Sequence, residues 1–301
     1  MSQTQEITPS TLGEASVPKT RSLPSRALRQ LRGSVSGKIG LALVLLVIIM
    51  ALFAPIIAPH SPYTIRNEHR LLGPSSYYPL GTDEFGRDIL SRIIYGARIS
   101  LQVGAISVII ALIVGGILGL ISGYYGGWTD TIISRLLDIV FAFPDILLAI
   151  ALLAVLGPDL RNVMIAIGVV YTPSFARVVR GPVLAVRSQE YVEASRVIGA
   201  SAGRTMFRHV LPNVTAPLIV QATIAFSFAI LTEAALSFLG LGAQPPEPSW
   251  GSMLNAGKRF MELAPWMAIF PGLAIMIAVL GFNLIGDWLR DVLDPRTASS
   301  R

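Results

Sequence analysis

The sequence predicts an all-α membrane protein with six transmembrane helices and both termini on the cytoplasmic side. Three observations carry this. Of the 301 residues, 52% are hydrophobic and only 14% charged, where a soluble domain carries about 25% charged residues; mean hydropathy is +0.62. Apolar runs recur at lengths near those that cross a bilayer as helices, about 20 residues. With the N-terminus inside, the cytoplasmic segments hold sixteen of the 24 Lys and Arg residues and the outer segments eight, the asymmetry of the positive-inside rule. The same bias accounts for the net charge of +6 without nucleic acid. No cysteine is present, which excludes a disulfide framework, a thiol nucleophile and a thiolate metal site.

In chain order, residues 1–35 are rich in Ser, Thr, Pro and Arg and predict a disordered basic cytoplasmic tail. Its cluster Arg21, Arg26, Arg29 and Arg32, with Lys38, is placed to meet anionic lipid headgroups. A cleaved signal peptide fits less well, because the following apolar run has full span length. Residues 36–100 hold the first span, Ile39–Ala58, and an outer segment. There, PLGTDEFGRDILSRIIYGARISL (79–101) places Ile89, Ile93 and Ile94 at i, i+4 and i+5, and Asp88 and Arg92 at i, i+4. It predicts an amphipathic helix on the outer membrane surface, with Asp88 paired to Arg92. Five arginines between Arg66 and Arg98 go against the charge rule, but Glu68, Asp83, Glu84 and Asp88 bring the segment near neutrality.

Residues 101–292 hold the other five spans. Leu101–Gly123 is uncharged, and Leu136–Gly157 contains Asp138, Pro144 and Asp145. Val163–Ala176 is the shortest: 15 uncharged residues between Arg161 and Arg177 reach about 22 Å at 1.5 Å per residue, so both arginines would have to snorkel. Val214–Leu239 contains Glu233, and Leu263–Gly286 is flanked by Glu262 and Asp287. Residues 293–301 form a C-terminal tail.

A carboxylate at mid-span costs about 2.5–3.5 kcal/mol on insertion scales, so Asp138, Asp145 and Glu233 should face protein or water. Asp138 is expected to pair with Arg135, and Asp145 to serve backbone donors freed at Pro144. Glu233 and Asp145 are the candidate pathway or gate residues, against the plainer reading of hydrogen bonds within the bundle. Reactive constellations are absent. There is no G-x-x-x-x-G-K-[ST] loop to cradle nucleotide phosphates and no H-E-x-x-H. His60, His69 and His209 all lie outside the spans, with no Ser/His pair inside one. The expectation is a non-catalytic chain that binds no cofactor and no metal.

The informative polar stretch is EYVEASRVIGASAGRTMFRHVLP, residues 190–212, inside a predicted cytoplasmic loop 177–213. Ser188 is placed to N-cap a helix with Glu190 in its first turn. Tyr191, Ala194, Ser195 and Ile198 fall at i, i+3, i+4 and i+7 on one face, and Glu193 and Arg196 stand at i, i+3. Gly199 fits the position after the helix, where positive φ is needed. Ser201 then caps a second helix bearing Arg204, Phe207 and Arg208, which Pro212 ends. A DNA-reading helix-turn-helix has this outline, but the stretch is tethered to membrane spans at both ends. A structural loop and a docking element for a cytoplasmic partner both fit. The small residues Ala194, Ser195, Gly199, Ala200 and Gly203 would let a partner surface approach closely.

The spacing Glu193-Ala194, Gly199, Leu211-Pro212 resembles the cytoplasmic "EAA" loop of permeases of binding-protein-dependent ABC importers, with Ser195 in place of Ala and His209 in place of Ile. GTDEFGRDILSRIIYGARISL, AFPDILLAI (142–150) and LTEAALSFLGLGAQPPEPSWGSML (231–254) are similar to the C-type permease subunit of dipeptide, oligopeptide and nickel importers. The resemblance implies a type I ABC importer permease core formed by the last five helices, in a bacterial inner membrane. It implies partners as well: a second, B-type permease, one or two cytoplasmic ATPase subunits and an extracytoplasmic solute-binding protein, beside membrane lipid and without nucleic acid. It implies that Glu190, Tyr191, Glu193, Ala194, Ser195, Arg196, Gly199, Ala200, Gly203, Arg204, Leu211 and Pro212 couple the chain to the ATPase. Peptides are the implied cargo, with nickel chelate, glutathione or another small solute as the alternative. A stand-alone secondary transporter or channel is the reading from a different class, though the two repeated halves it often shows are not visible.

Overall fold

A computed structural model describes Leu31 and residues 33–293. The predicted tail's arginine cluster and the predicted C-terminal tail beyond Leu293 lie outside the described residues.

Helix α1 (Val35–Leu52) is N-capped by Ser34, whose Oγ accepts from Gly37 N. It stops short of the predicted Ala58 because Pro55, lacking an N–H, starts a separate turn, Ala54–Ile57. Helix α2 (Ile89–Tyr125) is a single run of 37 residues, about 55 Å long. The surface helix expected over 79–101 is therefore not formed. Residues 79–88 fold as turns, and Ile89, Ile93, Ile94 and Arg92 are all buried within the first turns of α2. Asp88 caps α2 by accepting from Ser91 N (3.0 Å) and Ser91 Oγ (2.5 Å). Arg92 instead pairs with Asp83 (3.6 Å) and donates to Pro62 O (3.0 Å), so the predicted Asp88–Arg92 pair is replaced by a cap and a longer-range tie.

Helices α3 (Gly127–Phe141) and α4 (Asp145–Leu156) stand where one span was predicted; they meet at 91° across Pro144. Helix α5 (Leu160–Val186) is 27 residues long rather than the short span expected. It runs on through Arg177 and Arg180 because α3 supplies their counter-charges: Asp138 Oδ1 lies 2.7 Å from Arg177 Nη2, and Asp130 takes both arms of Arg180 at 2.5 and 2.6 Å. Asp138 thus pairs with Arg177 instead of Arg135. A residue 39 positions away is nearer here than one at i−3, because Arg177 also lies over the Phe141 ring, 3.9 Å from its centroid. The predicted loop 177–213 accordingly loses its first ten residues to α5. Helix α6 (Glu190–Val197) follows, then α7 (Thr215–Phe238), α8 (Trp250–Lys258) and α9 (Trp266–Leu293). Among the described residues five runs are long and apolar enough to cross a membrane, and α3 with α4 makes a sixth if counted as one broken span.

The closest pairing is α2 on α5. Gly115, Gly119 and Gly123 recur every fourth residue, and a Cβ on any of them would run into Thr172 O, Ala176 O or Val183 of α5. Where lipid offers no hydrophobic contrast, such small-residue rows let helices gain contact through their backbones. Opposite, α9 runs antiparallel to α1, with Gly281 against Leu43 and Val44, and Gly37 against Trp288; Gly286 of α9 meets Thr223 of α7. These contacts put Val35, Leu293 and the segment between α5 and α7 at one end of the bundle. At the far end, Trp250 of α8 is fully buried and donates Nε1–H to Ile93 O of α2 at 2.9 Å.

Candidate functional site

The polar segment between α5 and α7 folds as two helices about a glycine, as its sequence predicts. Helix α6 ends in a Schellman motif: Gly199 has φ +84°, its N–H donates to Arg196 O (3.0 Å), and Ala200 N donates to Ser195 O (3.1 Å). Ser201 caps the next turn by accepting from Arg204 N. Two local expectations fail. The N-cap of α6 is Gln189, because the Ser188 hydroxyl donates to Ala185 O at the end of α5 (3.2 Å) and satisfies that helix instead. Pro212 does not end the second helix. The chain passes from Ala202–Thr205 through a π turn, Met206–Val210, into a 3-10 turn, Leu211–Val214, and on into α7. A change of helical pitch accommodates the proline's missing N–H.

The segment has two faces. Val192, Ser195, Thr205, Met206 and Val210 are buried against the bundle, with the Ser195 and Thr205 hydroxyls 3.3 Å apart. The stripe predicted as one apolar face splits: Ser195 turns inward, while Tyr191, Ala194 and Ile198 stay in the open. Val197 and Ile198 are 86% and 83% exposed and Phe207 59%, in a segment too polar to sit in lipid. Glu190, Glu193, Gly203, Arg204 and Pro212 share the open side, and Ala200 and Leu211 are half-buried. A Cβ on Gly199 or Gly203 would meet nothing within 4 Å, so the backbone there is bare to an approaching surface.

Two ties fix this segment to the bundle, and a third closes it on itself. Arg196 does not pair with Glu193; its Nε donates to Tyr124 OH (3.3 Å) and its guanidinium lies 4.8 Å from the Tyr124 ring centroid. Arg187 Nη1 donates to Gly123 O at 3.0 Å. Asn213 Nδ2 donates to Tyr191 OH (3.2 Å) and His209 O (2.7 Å). Next to these, the Asp130–Arg180 pair is tied to α2 by the Ser122 hydroxyl. Helix α6 is thereby tied to the end of α2. Sequence reasoning missed Tyr124, Asn213 and Val197, the exposed neighbour of Ile198; two adjacent aliphatics closing a polar helix were the legible signal.

The two carboxylates marked for a pathway part company. Glu233 is wholly buried and accepts from Ser237 Oγ (2.6 Å), whose oxygen also accepts from Ala243 N (3.2 Å); it braces the turn after α7. Asp145 is exposed at the break between α3 and α4, where no side chain caps the helix. It lies near Tyr171, whose hydroxyl is 2.8 Å from Thr232 Oγ1. Tyr171 is eleven residues into α5 and fifteen from its end. Among the described residues no group of His, Cys, Asp or Glu is arranged to hold a metal ion.

Comparison with known proteins gives consistent matches. The family model described as binding-protein-dependent transport system inner membrane component matches residues 115–299, and one described as the N-terminal TM domain of oligopeptide transport permease C matches residues 22–74. A dipeptide transport system permease protein from Alkalihalophilus pseudofirmus is 52% identical, over 91% of this chain and 90% of its own length. One from Haemophilus influenzae is 49% identical, over 89% and 92%. A glutathione transport system permease protein from Pectobacterium atrosepticum is 47% identical, over 90% of each. In fold, the chain is similar to a chain of the MetNI methionine ABC transporter, solved in inward-facing conformations: TM-score 0.54 at 19% identity, covering 67% of this chain and 96% of that one.

Proposed function

This chain belongs to the family of binding-protein-dependent transport system inner membrane components, and from that premise we propose that it is the C-type permease of an ATP-driven importer of di- and oligopeptides in a bacterial inner membrane. Both ends of the described chain and the 187–214 segment face the cytoplasm. The chain forms half of the translocation pathway, a second permease forms the other half, one or two separate ATPases supply the work, and an extracytoplasmic solute-binding protein delivers the cargo. The supporting observation is the open face of α6: exposed Val197 and Ile198 beside Glu193 and the bare Gly199 and Gly203, on a segment tied to α2 by Arg196. Apolar patches of this kind on an extramembrane surface mark docking sites.

The test is reconstitution with the partner subunits in liposomes, following labelled dipeptide. ATP-dependent uptake that needs all subunits is expected. Uptake of glutathione or a nickel chelate but of no peptide would shift the cargo to the alternative; the 47% identical glutathione relative is what supports that second reading. Uptake by this chain alone on an ion gradient would overturn the importer reading altogether.

Two further outcomes are expected. The isolated chain binds and hydrolyses no ATP, since it has no phosphate-cradling loop; nucleotide retained by the purified chain in equilibrium dialysis would refute a separate motor. Asp145→Asn slows peptide uptake about tenfold or more while leaving ATPase association intact. A carboxylate inside a predicted span is costly unless it faces protein or a water-filled path; Asp145 is exposed, and a peptide's ammonium passing there would meet its charge. Unchanged uptake kinetics would remove Asp145 from the path.

A further inference from the structure

At the end of the bundle opposite α6, a cavity of about 450 Å³ lies between the 59–88 loop, the first turns of α2, the 245–247 turn and α8. That volume falls in the range of ligand pockets, about 300–1,000 Å³. The GTDEFGRD stretch builds one wall. Gly81 and Gly86 take positive φ (79° and 72°), which lets Asp83 turn inward. Asp83 Oδ1 accepts from Phe85 N and Arg87 N (both 2.9 Å), and Oδ2 lies 2.6 Å from Arg87 Nε and 3.6 Å from Arg92 Nε. Both arginines of the cavity therefore converge on Asp83, and Arg92 also serves Pro62 O.

Two carboxylates remain for the cavity itself. Glu84 has only a long contact with Arg87 (3.9 Å), and its Oε2 is buried without a hydrogen bond; burial, its largest influence, pushes its pKa up. Glu247 stands across the cavity at the Pro245–Pro246 turn, close enough to Tyr63 to raise that phenol's pKa, second to burial. The lining also carries Tyr63 and Phe85, 42% and 44% exposed, with Ile65 at 57%. The lining thus holds three carboxylates, Asp83, Glu84 and Glu247, against two arginines; Arg87 already covers the Phe85 ring, 4.7 Å from its centroid, which leaves Tyr63 as the open aromatic wall, with an apolar rim outside the spans. A zwitterion would need a free cation for its carboxylate, and both arginines are engaged. A single basic group fits: it would pair with the carboxylates, a cation favouring the ionised form of Glu84, and lie against the Tyr63 ring. An apolar rim around a charged pocket is how protein interfaces seat an arginine anchor away from water.

We propose that this cavity is the socket for the docked solute-binding protein, and that it takes an arginine or lysine side chain of that protein between Glu84 and Glu247. The proposal rests on reading the chain as a binding-protein-served permease. The GTDEFGRD stretch then has two roles, since it both starts α2 and shapes the receiving surface for the delivering partner.

The test uses the assembled transporter in nanodiscs and its peptide-loaded binding protein, with affinity measured at low and high salt. Wild-type affinity should fall with salt, because charge complementarity contributes to it; salt-independent binding overturns the socket without any variant being made. The double substitution Glu84→Gln, Glu247→Gln is expected to weaken binding at least tenfold and to flatten the salt dependence. Ala256→Phe, which fills the cavity from α8 and removes no charge, should weaken binding while keeping the salt slope. If the wild-type ATPase responds to the binding protein and both variants bind it as wild type does, the socket is refuted and the permease reading stands. If no binding protein stimulates the wild-type complex, the permease reading fails and the socket with it. Binding of a fluorescent dipeptide to the complex without binding protein, lost in the double variant, would overturn the socket in favour of a peptide site.

Discussion

Glu193→Lys and Gly199→Val should each abolish ATP-driven uptake while leaving every membrane crossing in place. Glu193 is exposed on α6, so reversing its charge disturbs nothing inside the chain. Its cost falls at the ATPase, where a like charge would meet any basic partner. Truncating one member of a desolvated charge pair costs about 2–5 kcal/mol, and each 1.4 kcal/mol is a factor of ten. Gly199 acts differently. A Cβ there meets no atom within 4 Å, so nothing clashes, but the residue holds φ +84°, a region in which a β-branched side chain is an outlier, at a cost of about 1–3 kcal/mol. Val would unmake the Schellman turn and re-aim Val197 and Ile198. Asn, which tolerates that region, should restore much of the activity, and that rescue separates backbone geometry from bulk. Two measurements on one preparation decide: pull-down of the ATPase subunits and uptake of labelled dipeptide. Lost uptake with retained pull-down would move the role of α6 from docking to force transmission along Arg196 and Tyr124. Normal uptake in both variants would sink the coupling role of residues 190–212.

That the loop could be anticipated at all follows from its chemistry. Gly199 was legible because only a residue without a Cβ takes positive φ freely, and Ser201 because a hydroxyl before a helix binds its free N–H groups. The spans were legible through apolar run length, which lipid enforces. What failed were the places where a distant partner decides. The short fourth span became 27 residues because Asp130 and Asp138, 50 and 39 positions earlier, neutralise Arg180 and Arg177. The surface helix before the second span vanished because Asp83, not Asp88, receives Arg92. The socket at Glu84 and Glu247 was invisible for the same reason: its two carboxylates are 163 residues apart in sequence, and only the fold brings them to one cavity.

Gly119→Ile should be the most damaging single change in the membrane core, and Gly116→Ile should be nearly silent. The two glycines sit three residues apart on α2, yet α5 treats them oppositely. A Cβ on Gly119 would run into Ala176 O and stand 2.9 Å from Val179 Cβ, whereas one on Gly116 meets nothing within 4 Å. Gly119 is the middle of the row Gly115, Gly119, Gly123, so its backbone lies on that of α5 and cannot yield as a flexible side chain could. Overpacking a core costs about 1–3 kcal/mol where side chains can shift, and more where they cannot; a surface change stays within about 0.5 kcal/mol. Prising α2 from α5 would also pull the Ser122–Asp130–Arg180 tie and the Arg196–Tyr124 contact out of register, so coupling should fail along with stability. The measurement is the midpoint of thermal unfolding of the purified complex in one detergent, with uptake on matched proteoliposomes. A large drop for Gly119→Ile, beside an unmoved Gly116→Ile, is the expected pair of results. Equal midpoints would mean that the glycine row does not hold α2 to α5, and the route from α6 through α2 would have to be abandoned with it.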